Sequence, residues 1–397
     1  MKIGKRVYLD YAAATPLDVD VVRAMKPFDQ KHFGNPSALY KEGIVARTAV
    51  SEARKNIAEG LSAHPDEIMF TGSGTEGNNI ALMGAIRAFR SAHPKVTPHV
   101  IISAIEHPSV RMVCDALGKE GVRITSVGVN KEGIVDARDI KEALRKETVI
   151  VSVMYANNEI GTIQPIREIT KTIRHWRKST GSIYPYMHTD ACQAVNYLDL
   201  HVDRLGIDMM TLNGSKIYGP KGTGALFVRR KTMIVPIMFG GGQEFGMRGG
   251  TENVSGIVGL GEAFTIARKK QERESKRLTL LRDQFIRMLL KKIPDAVLNG
   301  SATARLPNNV NISIPNIESE HLIIELDAKG VAASAKSACK SMDEEVSHVI
   351  MALGRKSAGV ESGIRFTLGK STTKKDINQA VKIFLNIVQK LKSIKTL

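Results

Sequence analysis

The middle of the chain alternates short apolar runs with segments of helical spacing, and that alternation leaves few folds open. Candidate strands lie at Glu67–Thr71, Val100–Ala104, Thr148–Tyr155, Tyr186–Asp190, Asp208–Leu212 and Ala225–Val228. A strand that is apolar on both faces must be covered on both faces, and helices between successive strands supply the cover. The pattern therefore predicts an α/β fold with a mainly parallel sheet. Most of these runs end at a polar or glycine-rich turn, where open α/β sheets build their sites. From about Ala267 the texture changes. Leu278, Leu281, Phe285, Met288 and Leu289 keep helical spacing until Pro294. A strand-like Asn309–Ile314, another helix, a strand at Ile364–Leu368 and a last helix from Asp376 follow. This predicts a smaller α+β domain, with expected boundaries of 15–262 for the large α/β domain and of 1–14 plus 263–397 for the small one.

A chain of 397 residues is long enough for two such domains. No apolar run approaches the roughly 20 residues that span a bilayer, and Met1–Asp10 has no apolar stretch behind its charges. The expected location is the cytoplasm. Cys114, Cys192 and Cys339 are odd in number and form no C-x-x-C pair, which argues against a disulfide framework or a structural zinc site. The formal charge of +17 suits an acidic partner. A solvated basic surface is the favoured account, because no nucleic-acid motif organises the lysines and arginines; neither a membrane nor a direct nucleic-acid partner is expected.

The chemistry concentrates at strand ends. Thr71-Gly72-Ser73-Gly74-Thr75-Glu76-Gly77 lies between a strand and a helix, where glycines open backbone N–H groups and a helix N-terminus favours a phosphate. The string also fits G-x-G-x-x-G, a dinucleotide signature. A Rossmann unit presents an acidic residue at the end of the next strand about 20 residues on, whereas here that strand, Val100–Ala104, comes later and leads into Glu106-His107-Pro108. Asp190 ends a buried strand, and a buried carboxylate needs a partner such as a pyridinium nitrogen. Lys216 follows another strand inside Asn213-Gly214-Ser215-Lys216, in a position to form a Schiff base. His107 follows a third, able to stack on a ring and move protons. Taken singly, these residues read as a helix cap, an exposed lysine and a helix start. Together they make the parts list for pyridoxal 5′-phosphate (PLP).

Tyr8–Pro16 (YLDYAAATP), Phe33–Ser37 (FGNPS), Asn157–Gly161 (NNEIG), Lys216–Gly222 (KIYGPKG) and Arg248–Asn253 (RGGTEN) resemble the cysteine desulfurases, in particular their iron–sulfur-cluster and nitrogen-fixation group within the class V aminotransferases. The resemblance implies PLP fold type I, a homodimer with active sites near the subunit interface, and conversion of L-cysteine to L-alanine. It makes Lys216 the Schiff-base lysine and Asp190 the partner of the pyridine nitrogen. Gln193 and Asn158 lie near the ring oxygen, and His107 stacks on the ring. Gly74, Thr75, Asn213 and Ser215 receive the phosphate, with Thr251 arriving from the other subunit. Arg365 binds the substrate carboxylate, assisted by Asn35 and Asn158. Cys339, in a polar Ser-Ala-Cys-Lys-Ser run, accepts the sulfur as a persulfide, and Lys336 and Lys340 beside it would favour its thiolate. The sulfur then passes to a protein acceptor, such as an iron–sulfur scaffold or a tRNA-thiolation enzyme.

The chain departs from the family pattern twice: Ser215 stands where the family commonly has histidine, and Lys336 where it usually has glycine. Cys114 reads as a core residue, and Cys192 has no clear role. A selenocysteine or cysteine lyase, another aminotransferase, or a non-catalytic basic scaffold remain open on sequence alone.

Overall fold

The computed structural model describes residues 6–335, 347–354 and 363–394. Twelve strands occur among these residues: β1 (Val7–Tyr8), β2 (Ile68–Thr71), β3 (His99–Ser103), β4 (Arg123–Val127), β5 (Thr148–Ser152), β6 (Tyr186–Asp190), β7 (Met209–Asn213), β8 (Gly224–Val228), β9 (Val297–Leu298), β10 (Asn309–Ser313), β11 (Val331–Ala332) and β12 (Ile364–Thr367).

Seven of them form one sheet in the order β2-β8-β7-β6-β5-β3-β4. Strands β3 to β7 pair in parallel, and β8 runs antiparallel to both β2 and β7. Side chains alternate between two buried layers. Ile101, Val151, Met187 and Met210 join one apolar cluster; Val100, Ile102, Ile150 and Met209 join the other. Double burial explains why these strands read as unbroken apolar runs. Strand β4 is different: it is an edge strand, its first four residues are exposed or half-buried, and its mixed Arg-Ile-Thr-Ser sequence hides it from a search for such runs.

A three-stranded antiparallel sheet, β12-β10-β9, and the parallel pair β1-β11 make up the rest. Their core centres on Phe285, Phe366 and Phe384, with ring centroids 5.1 and 5.5 Å apart in succession. One 39-residue helix, Val254–Lys292, serves both cores. Ile257, Leu260, Phe264 and Ala267 enter the first cluster, and Leu278, Phe285 and Leu289 enter the second. At 1.5 Å per residue it is about 58 Å long, and the boundary expected at residue 263 falls inside it. Among the described residues no helix is long and apolar enough to cross a membrane, and no cluster of side chains could hold a metal ion.

Candidate active site

Four strand ends of the large sheet open onto one cleft. Strand β2 gives way at Thr71 to the helix Gly74–Ala92. Ser73 caps this helix by accepting from Glu76 N, and Glu76 in turn accepts from Gly72 N at 2.9 Å. Arg248 holds the same carboxylate at 2.7 Å, so the first turn is fixed from both sides. Gly74 and Thr75 line the cleft. A Cβ on Gly74 would lie 2.6 Å from Cys192 Sγ, so only glycine lets the backbone N–H groups stay open at this helix start.

Asp190 ends β6 and is buried. Its Oδ1 accepts from Cys192 N at 2.9 Å, and its Oδ2 accepts from Asn78 Nδ2 at 2.8 Å. Lys216 closes the short turn Gly214–Lys216 after β7, and Nζ donates to Ala13 O at 2.5 Å. The turn depends on Gly214, because a Cβ there would meet Thr223 Oγ1 at 2.4 Å and Pro220 O at 2.8 Å. His107 is the N-cap of the helix Pro108–Lys119, just past β3. Burial holds its imidazole below the usual histidine range, with Asp190 pulling weakly the other way. Asp190, Lys216 and His107 all line the same cleft.

The opposite wall comes from distant parts of the chain. Arg365 on β12 is 2% exposed; Nη1 donates to Asn158 O at 2.9 Å and Nη2 to Asp10 Oδ1 at 2.8 Å. Its buried Nε has no hydrogen-bond partner among the described residues. Such a group suits an anionic ligand, since an orphaned charged donor is costly to bury. Asn158, Gln193 and Asn213 also line the cleft, and Gln193 donates to Ala12 O at 3.1 Å.

These parts fit PLP. A glycine-opened helix start suits a phosphate, a buried carboxylate suits a ring nitrogen, a lysine side chain reaches between them, and an imidazole stands at the side. Three expected residues do not line this cleft within one chain. Ser215 supports the turn, its N and Oγ each donating to Asn213 Oδ1 at 3.1 Å. Thr251 lines a separate hollow with Arg248 and Glu244. Asn35 is exposed and accepts from Ser37 N at 2.9 Å. Cys339, Lys336 and Lys340 lie outside the described residues. Cys114 is core: it is 1% exposed, and burial pushes its thiol up to about 12. Cys192 lines the cleft, and burial raises its thiol well above the ordinary range, so it stays neutral.

The sequence reading missed Asp10, Asn78 and Ser109. Asn78 had a usable signal, because it stands four residues after Gly74 and so faces the same way on one helix. Asp10 had none beyond its presence in the Tyr8–Pro16 string.

The chain matches the aminotransferase class-V family over residues 7–380. It is 45% identical over 390 residues to the cysteine desulfurase IscS of Dictyoglomus turgidum, covering 98% of this chain and 96% of that protein. A solved structure described as a NifS-like protein superposes with a TM-score of 0.89 at 30% identity, covering 97% of this chain and 99% of the other. A structure of SspA in complex with cysteine superposes with a TM-score of 0.76 at 33% identity, covering 91% and 98%.

Proposed function

The chain belongs to the aminotransferase class-V family, and from that premise we propose that it is a cysteine desulfurase: it breaks the C–S bond of L-cysteine, releases L-alanine and passes the sulfur to its own Cys339. The reaction balances without an outside oxidant or reductant. The substrate sulfur leaves carbon and bonds to the Cys339 sulfur, and a proton goes to the carbon that becomes the alanine methyl. The observation that carries this reading is the meeting of Lys216, Asp190, His107 and the Gly74 helix start on one side of a cleft whose other side presents Arg365.

PLP is the cofactor of this family, and when bound it supplies an electron sink for negative charge at the substrate α-carbon. Lys216 would hold it through Nζ, Asp190 would face its ring nitrogen, and Gln193 and Asn158 its ring oxygen. Gly74, Thr75, Asn213 and Ser215 would take the phosphate, with Thr251 reaching in from a second copy of the chain. Arg365 binds the substrate carboxylate as a fork, with Asn158 and Asn35 assisting. His107 and Lys216 hold and move the protons.

The working unit is a homodimer. Phe33, Leu39 and Phe239 are 77, 85 and 80% exposed, and apolar side chains left that open are best covered by another protein surface. We take 15–262 as the cofactor-binding unit and the remainder as the unit that bears Arg365 and Cys339. The persulfide goes to a protein acceptor in iron–sulfur cluster assembly or tRNA thiolation, in a cytoplasm that keeps thiols reduced.

Purified holoenzyme is expected to be yellow and to yield alanine from cysteine. Lys216→Ala is expected to lose the covalently held colour and the activity together. Cys339→Ala is expected to keep the colour and lose alanine release; undiminished alanine release from that variant overturns sulfur transfer to Cys339.

A further inference from the structure

Two buried side chains join Asp190 to His107. Asn78 Nδ2 donates to Asp190 Oδ2 and to Ser109 Oγ, both at 2.8 Å. Ser109 Oγ lies 2.8 Å from His107 Nδ1, and Ser109 N donates to that same nitrogen at 3.1 Å. Asn78 is fully buried, and its Oδ1 has no hydrogen-bond partner among the described residues.

The direction of each bond follows from the donors. A backbone N–H can only donate, so Nδ1 of His107 is an acceptor and carries no proton. The Ser109 hydroxyl accepts from Asn78 and therefore spends its own hydrogen on Nδ1. Turning the Asn78 amide over would set its oxygen against the Asp190 carboxylate, so the orientation with Nδ2 toward Asp190 is the stable one. The orphaned Oδ1 is the cost of that arrangement. Both donor hydrogens of one amide are engaged, one by Asp190 and one by Ser109.

We propose that Asn78 and Ser109 are positioning residues that fix His107 as its Nε2–H tautomer and tie its ring to Asp190, so that the base and the carboxylate that would serve the cofactor keep one relative placement. The inference rests on the reading of the cleft as a PLP site, and it assigns the proton that His107 offers to Nε2, the nitrogen not engaged by Ser109. Burial disfavours a second proton on the ring, with Asp190 opposing and Lys216 adding to it, in keeping with a neutral imidazole.

The test is the side-chain nitrogen spectrum of His107 in 15N-histidine-labelled holoenzyme, its signals identified by their loss in His107→Gln. The wild type is expected to give the pattern of a neutral ring protonated at Nε2. Ser109→Ala is expected to shift the Nδ1 signal and lower kcat about tenfold, with KM for cysteine moving by no more than about twofold. That loss is a fraction of the roughly 10²–10⁴ a well-placed acid or base contributes. Ser109→Thr, which keeps the hydroxyl, is expected to restore both. Asn78→Ala is expected to move the His107 signal and also the pH titration of the holoenzyme's visible absorption, because Asp190 loses a donor. The double variant is expected to match Ser109→Ala at His107. A His107 signal indifferent to Ser109→Ala overturns the proposal even if Asn78→Ala does not fold, and so does a double variant whose shifts simply add. Failure to form any coloured holoenzyme overturns instead the reading of the site itself.

Discussion

The two walls of the cleft are built on different principles. On the cofactor wall, Gly74, His107, Asp190 and Lys216 each stand within a few residues of a strand end in one sheet, so the sheet sets their spacing. On the opposite wall, Arg365 depends on Asp10, 355 positions away in the sequence, and on Asn158 in a loop past β5. The first wall is a local pattern, a site residue at a strand end, repeated four times and braced by longer contacts such as Lys216 to Ala13 and Asn78 to Asp190. The second is one long-range agreement among three segments. A local wall should tolerate repair by local changes, whereas a long-range one should fail as a unit.

Removing the fork breaks the comparison at its sharpest point. Arg365→Leu is expected to lower kcat/KM for cysteine by roughly 10- to 150-fold, the worth of about 1.5–3 kcal/mol for hydrogen bonds to a charged group. The visible colour should remain. Steady-state kinetics beside an absorption spectrum checks this, and loss of colour would mean the walls are not separable.

A smaller effect tests whether the cofactor wall can be repaired. Gly74→Ala places a Cβ 2.6 Å from Cys192 Sγ, and cofactor affinity is expected to fall roughly fivefold, about 1 kcal/mol, the low end for overpacking. Gly74→Ala with Cys192→Ala clears the space, and most of the affinity should return. Titration of apoenzyme with PLP reads both, and a double variant as weak as the single one would show that the collision is not the cause.

The smallest effect concerns Glu106, which is buried behind His107. Its Oε1 accepts from Ser103 Oγ at 2.5 Å and Met154 N at 2.9 Å, and burial raises its carboxyl from 4.5 to about 8. Between those values the folded chain holds a proton that the unfolded chain has released, so stability falls as pH rises through that window. Glu106→Gln removes the titration. Its Tm is expected to decline less than that of the wild type between pH 5 and 8, by a few degrees. Parallel melting curves would sink the assignment.

The same contrast governs what could be read from the sequence. The runs at Tyr186–Asp190 and Ala225–Val228 correspond to strands, because burial on both faces leaves an apolar signature that needs no knowledge of partners. Lys216, Asp190 and His107 were legible for the same reason: each is a polar residue where such a run stops. Strand β4 was not, since an edge strand half-open to solvent carries polar residues. Asp10 was not, because nothing local to Tyr8–Pro16 announces an arginine more than three hundred residues later. Asn78 was overlooked although its helical phase with Gly74 points it at Asp190. The Ser215 hydroxyl donates to Asn213 Oδ1, a contact set by turn geometry that residue type alone does not announce.

The bond between Arg365 and Asp10 also sets a timetable. Part of the sheet can pair while synthesis continues, since β3 to β7 join strands near in sequence, whereas β2 must wait for β8. The chain cannot close the carboxylate grip until β12 has emerged and found the segment after β1. A chain that stops short of β12 thus lacks the arginine that grips its amino acid, however much of the cofactor wall it has built.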